Sequence, residues 1–156
     1  EADVPSALRK IYYWASGDGM KAGPRPNKGP DAKFLDGLSE PNPLPGWLTP
    51  ADIDYYAGEF ARSGFRGPLN RYRTSELDFA QQAAIADRQI AQPAAFIAGS
   101  LDPVLAFVPG VDLVAVMRGK VDDLRLVRII DGAVHWVQQE RPAEVTAAQL
   151  AIVPGL

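Results

Sequence analysis

Two side chains have the type and placement for acid–base chemistry. Asp102 lies in Gly99-Ser100-Leu101-Asp102-Pro103-Val104-Leu105, and His135 in Asp131-Gly132-Ala133-Val134-His135-Trp136. His135 is the sole histidine of the chain. A carboxylate bonded to one imidazole nitrogen fixes the tautomer and leaves the other nitrogen as a base. Taken singly, each residue means little: an aspartate after a strand is more often a turn residue or helix cap, and a single histidine is more often structural. Their paired placement carries the reading, because each follows a short apolar run of strand character.

The elements that must position them come next. Ala94-Ala95-Phe96-Ile97-Ala98, between Pro93 and Gly99, reads as a buried parallel strand, and Leu124–Ile130 as a second. Val111–Arg118 reads as a helix ended by Gly119, and Pro142 starts a last helix carrying Val145, Ala148 and Ile152. Strand, helix, strand, helix implies parallel strands joined by crossovers, with ligands beyond their carboxyl ends. If the strands are neighbours, Asp102 and His135 converge on one edge. Two strands are too few for a stable open sheet, so something outside the chain is expected to complete it.

Residues 1–90 differ in character. Leu8, Ile11, Tyr12 and Ala15 fall at helical spacing, with Gly17 expected to stop the run. Residues 17–46 hold six glycines and six prolines, too dense for a helix or central strand, and read as a long functional loop or lid. Thr49, Pro50 and Asp52 then open a helix with Ile53, Tyr56, Ala57 and Phe60 as its apolar stripe and Gly64 as its stop. Residues 67–73 can open another helix, and 76–89 form a third helical run.

Composition sets the outer bounds. In 156 residues, 47% are apolar and 22% charged, a soluble globular balance. A net charge of −3 argues against a nucleic-acid partner. No apolar run is long enough to span a membrane. The chain has no cysteine, which removes disulfides and thiolate catalysis, and one histidine makes a classical zinc site improbable. It begins at Glu1 with no leader pattern, so upstream sequence is expected to precede it. Cytoplasmic localisation follows as an expectation; homodimerisation is left open.

The acid-then-histidine order is that of α/β-hydrolases, in which the nucleophile comes earlier still. Gly99–Leu105 resembles the acid loop of the epoxide hydrolase family. Gly132–Pro142, with Gln138-Gln139-Glu140-Arg141-Pro142, is similar to its histidine segment, and Ser63–Arg73 to its cap signature. These motifs, with the Trp47–Tyr56 helix, occur in the family's order. Val134 stands where the family usually has glycine, and Arg71 where tryptophan is common.

The resemblance implies an α/β-hydrolase fold of which this chain is the C-terminal part. A helical cap spans 1–90 and part of the core spans 91–156. It implies conversion of an epoxide and water to a vicinal diol through an alkyl-enzyme ester, with no metal or organic cofactor. Asp102 would be the acid, His135 the base and Tyr72 one of two lid tyrosines. Tyr12, Tyr13 and Tyr56 are read as packing residues, and neither these nor Tyr55 is assigned as the second. The nucleophilic aspartate and the oxyanion segment match nothing here. Asp18 has flanking glycines but no preceding strand. Both are expected in an N-terminal part of the same hydrolase. Two alternatives remain at this point: a haloalkane or fluoroacetate dehalogenase, which shares the Asp–His–acid logic, and a non-catalytic binding protein that kept the fold.

Overall fold

A computed structural model of the chain describes residues 3–22 and 28–153. Glu1, and the stretch 23–27 inside the predicted lid loop, lie outside the described residues.

Helix α1 (Val4–Trp14) begins where the Asp3 carboxylate accepts from the Ser6 N–H, and Ala15 caps its end. Gly17 does not merely stop that run. It opens a short helix, α2 (Gly17–Lys21), because the Ser16 hydroxyl accepts from the Gly19 N–H. The glycine- and proline-rich segment therefore starts as one helical turn. Helix α3 (Pro50–Ser63) has the expected ends. The Thr49 hydroxyl accepts from Asp52 N–H at 3.2 Å, the Asp52 carboxylate accepts from Thr49 N–H at 2.8 Å, and Gly64 closes it at φ +69°. Helix α4 (Arg66–Arg73) follows, then α5 (Ser75–Gln82).

Helix α5 is shorter than the predicted 76–89 run. It buries no side chain and is tied to α4 by the Arg71–Asp78 ion pair, and beyond Gln82 the backbone tightens into i→i+3 turns at Ala84, Ile85 and Arg88.

Strand β1 (Ala94–Gly99) pairs in parallel with β2 (Leu124–Ile130), from Ala95↔Leu126 to Gly99↔Ile130. A bridge between Ile90 and Val121 extends the ladder at its start. Between the strands lie a tight 3-10 turn, Pro103–Ala106, and α6 (Leu113–Lys120). Helix α6 begins later than predicted because the Asp112 side chain caps Val114 and Ala115 N–H, and it runs through Gly119 rather than stopping there. A single turn, α7 (Val137–Glu140), leads into α8 (Pro142–Ile152).

Two apolar clusters result. Leu8, Leu48 and Ile53 gather Tyr12, Trp47, Tyr56, Phe60 and Phe65 around α1 and α3. Ile130, Ala133 and Val145 gather Ile97 and Val137 between β2 and α8. Among the described residues no helix is long and apolar enough to cross a membrane.

Candidate active site

The ends of β1 and β2 are stitched together before either side chain is considered. Ser100 N–H donates to the Ile130 carbonyl at 2.9 Å, and Leu101 N–H to the Ala133 carbonyl at 3.0 Å. The Ser100 hydroxyl accepts from Gly132 N–H at 3.0 Å and donates to the Asp131 carboxylate at 3.2 Å. Gly99 permits this crossing: a Cβ there would sit 2.3 Å from the Ala133 carbonyl oxygen and 2.5 Å from that of Val134. Ala133 and Val134 are fully buried, so the backbone just before His135 is fixed by packing.

Asp102 and His135 meet on this frame. His135 Nδ1 lies 3.2 Å from Asp102 Oδ2 and 3.4 Å from Oδ1. Asp102 Oδ1 also accepts from Val104 N–H at 2.9 Å, as the cap of the 3-10 turn. An ionised carboxylate only accepts, so the ring must donate from Nδ1 and its Nε2 is left as an acceptor. The Asp102 side chain is 13% exposed and that of His135 43%. The carboxylate is thus sheltered while the imidazole faces outward, the arrangement a general base needs. The helix-cap role and the pairing role of Asp102 coexist, with Oδ1 capping the turn and Oδ2 nearer the ring.

Tyr72 lies on α4, 78% exposed, and among the described residues no hydrogen bond joins it to Asp102 or His135. Tyr12 and Tyr56 stack on each other, centroids 5.5 Å apart, inside the first cluster. Burial, then the neighbouring Tyr56, pushes the Tyr12 hydroxyl above its ordinary pKa of 10.0. Tyr55 is mostly exposed, and Tyr13 is half-buried. Asp18 sits in the exposed first turn of α2, with no strand before it. Grooves of 780 Å³ beneath Pro41–Pro50 and 520 Å³ between α1 and α4 open elsewhere, and neither is lined by Asp102 or His135. No group of three or more His, Asp or Glu able to hold a metal ion occurs among the described residues.

Ser100, Gly99 and Trp136 do not stand out in the sequence as site residues. Gly99 had a readable signal, a glycine ending an apolar strand. The others owe their importance to partners far off in the chain.

A parallel strand pair that delivers an acid and then a histidine from successive strand ends follows the order of the α/β-hydrolases. No protein-family model matches the chain. Epoxide hydrolase A of Mycobacterium tuberculosis is 45% identical over 128 residues, covering 82% of this chain and 38% of that protein. Epoxide hydrolase 2 of Siraitia grosvenorii is 41% identical over 148 residues, covering 93% and 44%. The crystal structure of epoxide hydrolase A from Mycobacterium thermoresistibile superposes with a TM-score of 0.79 at 38% identity, covering 99% of this chain and 47% of that one. The chain belongs to the epoxide hydrolase family of the α/β-hydrolases. It spans under half the length of these relatives.

Proposed function

We propose that this chain supplies the acid, the base and one lid donor of an enzyme that converts epoxides to vicinal diols. The observation that carries the reading is the Asp102–His135 pair at 3.2 Å on adjacent strand ends, in a chain whose relatives are named epoxide hydrolases. We assign the cap to 1–90 and part of the core to 91–156. A preceding segment of the same hydrolase would carry the nucleophilic aspartate.

The nucleophile's carboxylate oxygen attacks an epoxide carbon, the C–O bond breaks, and the freed oxygen takes a proton from Tyr72, giving an ester. His135 Nε2 then takes a proton from water as the hydroxide adds to the ester carbonyl. Asp102 stabilises the imidazolium. Collapse of the tetrahedral adduct expels the diol oxygen, which receives the proton from His135. The regenerated carboxyl group ionises, and its proton restores Tyr72.

The test separates the two halves. In the complete enzyme, His135→Gln should permit alkylation and block ester hydrolysis, so mass spectrometry should find a protein–substrate adduct. Undiminished diol turnover with no adduct would remove His135 from the role of base. Halide release in place of diol formation would turn the reading toward a dehalogenase.

A further inference from the structure

His135 is held by Asp102 through one nitrogen only. That contact restrains Nδ1, but rotation about χ1 and χ2 is limited by this one bond only, and such rotation would carry Nε2 away from a fixed target. A second restraint comes from the next residue. The Trp136 indole lies edge-on to the imidazole, with ring centroids 4.9 Å apart and planes at 71°. Its Nε1–H donates to the Tyr12 main-chain carbonyl at 3.0 Å, in a part-buried setting. The indole also packs on the Tyr12 ring, centroids 4.5 Å apart.

Tyr12 is itself seated by the helices of the first region. It stacks on Tyr56 of α3 at 5.5 Å and 12°, approaches Trp47 at 6.4 Å, and has Gln139 of α7 near its hydroxyl. The residue following the base is therefore anchored in the α1–α3 cluster as well as by the sheet. A buried indole N–H needs an acceptor, and a main-chain carbonyl on a packed helix is a fixed one.

We infer that Trp136 is a positioning residue that couples the seating of α1 and α3 to the aim of the His135 imidazole. It acts through the His135 ring it packs against, with no bond to substrate assigned to it. This rests on the hydrolase reading above. Loss of the coupling should therefore slow the step that uses His135, ester hydrolysis, and spare alkylation, which uses the nucleophile and the lid donor.

The experiment uses the complete enzyme in single turnovers on an epoxide with a chromophore. Trp136→Phe keeps a ring beside His135 and removes the N–H donor; Trp136→Leu removes both. Ester hydrolysis should fall about tenfold in the first and about a hundredfold in the second, the scale of a misaimed catalytic group. Alkylation should stay within about twofold. The ring 15N signals of His135, assigned by their loss in His135→Gln, should report one tautomer, with its proton on Nδ1, in the wild type and a tautomer mixture in the variants. Hydrolysis equal to wild type in Trp136→Phe, or both steps falling together, overturns the coupling, and the Phe variant decides if the Leu variant does not fold. A wild type that makes no diol rejects the hydrolase reading instead, and the 15N tautomer comparison then decides the coupling by itself.

Discussion

At the scale of single residues, the site depends on one atom that is missing. Any side chain at Gly99 would drive its Cβ into the carbonyl oxygens of Ala133 and Val134, at 2.3 and 2.5 Å. Both are main-chain atoms of a fully buried segment, so neither can rotate aside. Gly99→Ala should therefore push the His135 loop off the end of β1. We expect ester hydrolysis to drop by about a hundredfold and stability by about 1–3 kcal/mol, read by single-turnover kinetics and thermal unfolding of the complete enzyme. An active variant with an unchanged melting temperature would show that the loop has room the geometry denies. Asp102 and His135 were legible in the sequence because both sit just beyond apolar runs, where topology dictates the ligand side. Trp136 was not, because its acceptor on Tyr12 lies 124 positions away and no local pattern points to it.

At the scale of elements, legibility followed capping and burial. Helix α3 could be read end to end because Thr49, Pro50, Asp52 and Gly64 each specify a boundary locally. Helices α5 and α6 could not. The first has no buried face to extend it, and the start of the second is set by the Asp112 side chain rather than by its apolar residues. The loop that precedes α3 is tied to α1 by Glu40, which accepts from the Ser6 hydroxyl at 2.6 Å and from Arg9 at 2.5 Å. The Ser6 bond first, then that of Arg9, holds the Glu40 carboxyl below its ordinary 4.5. Hydrogen bonds from Thr49 likewise hold Asp52 below 3.8. A carboxyl depressed in the folded state contributes stability that is complete above its unfolded pKa and is lost as pH falls through the folded value. In the complete enzyme, Glu40→Gln should therefore lower the melting temperature slightly at neutral pH. The gap between variant and wild type should close as pH descends below 4.5. A gap that persists unchanged in acid would show that Glu40 acts through packing, not charge.

At the scale of the whole molecule, the two apolar clusters do not account for the apolar surface. The chain exposes 10821 Å², whereas a compact monomer of 16.8 kDa would expose about 7,700 Å². Large apolar side chains contribute to it: Tyr72, Phe79 and Phe107 are each more than three-quarters exposed, with Leu77, Val108 and Val116 also in the open. Among the described residues the sheet has two strands, each with a free edge. Isolated strand pairs are marginal in water, and parallel strands need cover on both faces. The need for further strands was already legible in the sequence, since two Val- and Ile-bearing runs cannot make an α/β sheet. Which surface they would cover was not, because exposure is a property of the assembled fold. On the proposed reaction the same gap recurs: Asp102, His135 and Tyr72 as assigned there cannot form the ester without a nucleophile. We therefore expect residues 1–156, expressed alone, to unfold without a cooperative transition and to form no diol. Co-expression with a preceding segment that carries the nucleophilic aspartate should restore both a sharp thermal transition and turnover. Calorimetry and a diol assay on the two samples check this, and a cooperative monomer that hydrolyses epoxides by itself would overturn the surface argument and the chemical one together.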